Sequence, residues 1–124
     1  MAKWQNDVVL DTALDYIKNN VTQEAVCNAQ PSTYAEATGS MKLALKTGLT
    51  SGSFTGPANG DTNGRKLTVN QQASITVDAS GDATHIALCS GTVLLYVTTC
   101  TLQTLTSGNT VTVPSWDIEI GDAS

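Results

Sequence analysis

The chain is poor in charge and poorer still in positive charge. Charged residues are 14% of its 124, with six Lys or Arg against eleven Asp or Glu, a net charge of −5. Nucleic-acid binding needs a dense basic footprint, and so does attachment to an anionic membrane surface; neither partner is expected. Arg65 is the only arginine and His85 the only histidine. A catalytic triad or a zinc centre needs partners converging on such a histidine, and the sequence announces none. No apolar run approaches the ~20 residues of a membrane span. The first residues, MAKWQNDVVLDTALDYIKNN, contain no apolar signal core and no cleavage site, so a chain made and kept in a reducing cytoplasm is expected. Cys27, Cys89 and Cys100 are odd in number and have no CxxC spacing, which excludes a disulfide framework and predicts free, strand-borne thiols.

What is present is apolar and β-prone. Hydrophobic residues are 40% of the sequence, too many for a disordered chain, and Thr is abundant. A chain of this length is one ordinary domain, and it buries roughly two-thirds of its unfolded surface. We read it as a single domain, 1–124, with an arm and helix at 1–20 and a β body at 21–124.

Residues 7–19 have helical spacing. Val9, Leu10, Ala13, Leu14 and Ile17 make an apolar stripe, Asn6 or Asp7 can cap the start, and Lys18 suits the C-terminal dipole. Asp7, Asp11 and Asp15 recur on another side, where they form a solvated acidic face or dock on a basic partner. After Asn20 the period changes to two. Strands are predicted near 21–27, 40–47, 65–70, 73–78, 83–89, 92–99, 101–105 with 110–113, and 115–120. Met41, Leu43 and Leu45 are expected on one face. Trp116, Ile118 and Ile120 are expected inside, with Asp117 and Glu119 outside. One helix and about eight short strands bury themselves as two packed antiparallel sheets, a jelly-roll-like sandwich in preference to an open barrel. Residues 28–39 and 49–64 are read as long connections, the first with a helical turn at 33–37.

The second connection holds the densest turn chemistry, FTGPANGDTNGRKLTV at 54–69. Asn59, Asp61, Asn63 and Gly64 match the opening of a calcium loop, but the closing position is Asn70, so the acidic ligand is missing. Gly60 and Gly64 precede Arg65-Lys66 without phosphate-loop spacing. Turn-forming Asn and Gly account for the stretch, and Arg65 is an anchor for the loop or for a partner's carboxylate. Asp117 and Glu119 read as a polar strand face, not as a catalytic pair. No catalytic residue, metal or cofactor is therefore assigned. Trp4 and Phe54 sit in segments with no evident core of their own. Trp4 either folds back on the helix or fills a neighbour's pocket, as binding anchors do.

The order NDVVLDTALDYI, CNAQPSTYAEAT, FTGPANGDTNGRKLTV, ATHIALC, LLYVTTCT, VPSWDIEIGD resembles the capsid decoration proteins, also called cement or staple proteins, of tailed bacteriophages. The resemblance spans nearly the whole chain. It implies a non-enzymatic, jelly-roll-like virion protein made in the host bacterial cytoplasm. Such a protein sits on the outer surface of the icosahedral head, bound to the major capsid protein and commonly dimeric. The family contributes no catalytic residues. On this reading the partner interface is drawn from Trp4, Asp11, Asp15, Phe54, Asn59, Asp61 and Arg65. The alternatives are a tail or head–tail component, and a carbohydrate- or receptor-binding β module.

Overall fold

The computed structural model describes residues 4–122. Helix α1 spans Asp7–Asn20 and is followed by nine strands: β1 Gln23–Cys27, β2 Lys42–Lys46, β3 Phe54–Asn59, β4 Arg65–Val69, β5 Gln72–Thr76, β6 Gly81–Cys89, β7 Leu94–Leu105, β8 Thr110–Val113 and β9 Trp116–Ile120. The fold is mainly β with one long helix, and every strand pair is antiparallel. The strands form three hydrogen-bonded sheets where two were expected, in the orders β2-β1-β6-β7, β3-β4-β9 and β5-β8.

Local chemistry explains the helix and its limits. The Asn6 side chain accepts from the Val8 N–H at 2.9 Å and satisfies one free donor of the first turn. At the other end Val21 leaves the helical region and its N–H closes on the Ile17 carbonyl. The β-branched pair Val21-Thr22 then starts the extended chain.

Strand β3 was missed by pattern, because Gly56-Pro57 reads as a turn. It survives as an edge strand whose register shifts between Thr55 and Ala58, the setting in which a sheet tolerates proline. Strand β7 is continuous where a break at Cys100 was expected. Its extra residues are absorbed by register shifts against β6. Between β1 and β2 a further shift at Val26/Cys27 splits the predicted face of β2: Leu43 packs on one side of the sheet, Met41 and Leu45 on the other. The helical turn expected within 28–39 is present and widens into a π-turn at Glu36–Ser40.

Three apolar clusters hold these elements together. The first lies between the four-stranded sheet and the β5–β8 pair, with Val26, Leu43, Ile86, Ile75, Val77 and Val111 among its members. The second joins Leu14 of α1 to Phe54, Leu67, Val69 and Ile118 of the three-stranded sheet and to Leu88 of β6. The third covers the back of the four-stranded sheet with small side chains, Ala25, Cys27, Ala37, Ala87 and Cys89. Small residues there let the 28–41 segment pack closely on the strands.

Candidate interaction surface

Helix α1 buries a narrower and differently turned face than its sequence predicts. Leu10 and Leu14 are buried and Ile17 is half-buried, but Val9 is 61% exposed and Ala13 also faces out. The cause is polar. Arg65 on β4 donates from Nε to Asp11 Oδ1 at 2.8 Å, and Lys18 donates from Nζ to the Gly56 carbonyl at 2.8 Å. Both contacts rotate the helix so that its Asp11 and Lys18 side meets the body. The side left outward carries Val8, Val9, Thr12, Ala13 and Tyr16, with Asp7 exposed at the helix start and Asp15 half-buried. Trp4, 81% exposed, lies in the non-helical segment just before it. An exposed apolar surface on an acidic chain is the kind of feature that marks a contact site.

Beside the helix lies the loop that resembled an ion site. Its side-chain oxygens each accept from a different donor of the same chain. Arg65 Nη1 reaches Asn59 Oδ1 at 2.7 Å, Lys66 Nζ reaches Asp61 Oδ1 at 2.7 Å, and the Asp122 N–H reaches Asn63 Oδ1 at 3.1 Å. The Glu119 carboxylate accepts from the Asp61 N–H at 2.8 Å, and Gly60 N–H closes on the Gly64 carbonyl. The hydrogen bond it donates to Asp61 holds the Lys66 ammonium above its ordinary pKa, and the Asp11 contact does the same for Arg65. Gly64 has φ of +71°, and a Cβ there would run into the Ile120 carbonyl oxygen, so this position requires glycine. The loop is thus a braced turn. Among the described residues no three His, Cys, Asp or Glu side chains are grouped as metal ligands.

The structure therefore brings Asp11, Asn59 and Arg65 into one cluster, with Asp61 on the next strand position through Lys66. Asp15 is half-buried on the helix. Phe54 does not reach the surface. It is 5% exposed and belongs to the second cluster, because β3 turns its first side chain toward α1. Val8 and Tyr16, which sequence reasoning passed over, complete the outward face. The i, i+4 spacing of Val8, Thr12 and Tyr16 was the available signal.

Elsewhere chemistry is sparse. His85 lies opposite Cys27 and Thr99, with Nδ1 2.8 Å from the Thr84 hydroxyl. The three thiols are free. Burial pushes the Cys27 thiol up to about 12, with Cys89 and Cys100 adding to the effect, so it is an inert core group. A groove of about 450 Å³ runs between β7 and β8. Its apolar floor includes Ile86, Val111, Val113 and Trp116, and threonines of β7 form its rim. Asp117 at the groove accepts from Thr68 and lies 3.7 Å from Lys66. No helix among the described residues is long and apolar enough to cross a membrane. No protein-family model matches the chain, and neither a curated protein nor a solved structure does.

Proposed function

We propose that this chain is a structural virion protein that decorates and cements the icosahedral head of a tailed phage by binding major capsid protein subunits. The observation that carries the reading is the apolar outward face of α1, with Val8, Val9 and Tyr16 exposed, and Trp4 exposed in the segment just before it, on an acidic chain. The segment order described above supplies the partner. In this reading β3-β4-β9 and β5-β8 act as one layer facing β2-β1-β6-β7, a jelly-roll-like sandwich, and the helix face is presented to the shell. The Arg65–Asp11–Asn59 cluster sets the angle of the helix, and exposed Asp61 forms the polar rim of the contact.

Adhesion of this kind needs no reaction. Binding to the assembled shell and not to free subunits stabilises the shell by linkage. Copies that engage several subunits, or that pair, gain effective affinity. A stable contact of this type buries on the order of 1,000 Å².

The test is co-sedimentation of the purified protein with empty heads. Stoichiometric binding at a copy number set by the lattice is the expected result. Trp4→Ala and Val9→Ser should each weaken binding tenfold or so, about 1.4 kcal/mol, with unchanged folding. No binding to heads would overturn the reading. Retention on a glycan array in that case would move the function to the threonine-rimmed groove.

A further inference from the structure

Glu24 is a carboxyl group with no surface. It is 0% exposed in the middle of β1 and faces the core side of the four-stranded sheet. Its Oε2 accepts from Trp116 Nε1 at 3.2 Å, and its Oε1 has no hydrogen-bond partner. That bond joins β1 of one sheet to β9 of another. Trp116 packs against both the first and the second apolar clusters and stacks on Tyr96 with ring centroids 5.9 Å apart. The same indole lines the groove between β7 and β8. It therefore touches the carboxyl and the route by which water would reach it.

Among the described residues no cation is paired with Glu24. On β2 the residue in register with Glu24 is Lys46, yet no ion pair joins them; on β6 the residue in register is Leu88. Tyr96 and Cys100 are the titratable groups of β7 on this side. Asp117 and Glu119 of β9 are engaged away from the core by Thr68 and Asp61. Arg65 and Lys66 of β4 and Asp11 and Lys18 of α1 are committed to the contacts already described. An ionised carboxylate left so costs far more than its neutral form unless water enters.

We propose that Glu24 is a proton-operated latch between two sheets: neutral, it lets β9 close on β1; ionised, it frees the Trp116 end of β9 and opens the groove. Burial supports the geometry, since it pushes the Glu24 carboxyl from 4.5 up to about 7 against the lowering effect of the Trp116 hydrogen bond. The latch is a property of the core and does not depend on the capsid reading.

Trp4→Phe leaves Trp116 as the only indole of the chain. Its emission, titrated from about pH 5 to about pH 9, should shift to the red near neutrality, with several-fold greater quenching by iodide and unchanged far-UV circular dichroism. Adding Glu24→Gln should abolish the transition. Cys100 lines the groove while Cys27 and Cys89 are buried, so its alkylation should be several-fold faster above the transition than in the Glu24→Gln chain. Identical behaviour of the two chains, or loss of circular dichroism at the same midpoint, would overturn the latch. Should Glu24→Gln fail to fold, the carboxyl-carbon NMR titration of Glu24 in the unaltered protein decides: a midpoint near 7 supports the proposal and one near 4.5 ends it.

Discussion

Asp11 and Glu24 are both carboxylates that hold one part of the chain against another, and they do so in opposite ways. Asp11 is half-exposed and takes a forked guanidinium, Arg65 Nε at 2.8 Å and Nη2 at 3.4 Å, so charge meets charge where water screens both. Glu24 is sealed between sheets and meets a neutral indole. The first contact orients an element without contributing much to stability. The second makes the stability of the core depend on a proton. Position in the fold, not residue type, separates a steering contact from a conditional one.

The pH dependence of unfolding breaks the comparison most forcefully. The folded state holds the Glu24 proton more tightly than the unfolded chain does, since its carboxyl is raised from 4.5 to about 7. The destabilising effect is absent below pH 4.5, grows as pH rises through this window and is complete above about 7. Stability measured by denaturant should fall by roughly 3 kcal/mol across it, at 1.36 kcal/mol per unit, and Glu24→Gln should flatten this component. Next in size is Trp116→Phe, which leaves both Glu24 oxygens without a donor. A loss of about 1–3 kcal/mol is expected, and the Glu24 titration seen by NMR should move to still higher pH.

Arg65→Ala should lower the melting midpoint only slightly, less so in high salt, and should show no added slope in the window where Glu24 titrates. A large, salt-independent loss would mean that the Arg65 cluster is part of the core. Trp4→Ala sets the lower bound: its effect on unfolding should stay within about 0.5 kcal/mol, while head binding falls.

Much of this contrast could be read before the fold was known, and some could not. The Asn6 cap, the end of α1 near Asn20 and the alternation of β4 and β9 follow from short-range rules, and the structure keeps them. Strand β3 was hidden because Gly56-Pro57 signals a turn unless the strand lies at an edge, and edge position is a tertiary fact. Of the proposed interface residues, Trp4 is exposed, Asp11, Asn59 and Arg65 are bound to one another, and Phe54 is core. Val9 and Ala13 fit the predicted buried stripe by spacing alone. They face out because Arg65 and Gly56, distant in sequence, draw another side of the helix inward.

The amino-acid order alone determined a mainly β chain with an N-terminal helix, free cysteines and acidic balance, because periodicity, capping and composition act over a few residues at a time. Tertiary structure alone decided which helix face meets water and which carboxylate lies in the dark beside Trp116. Both outcomes depend on partners tens of residues away, such as Arg65 for Asp11 and Trp116 for Glu24, whose approach no local pattern encodes.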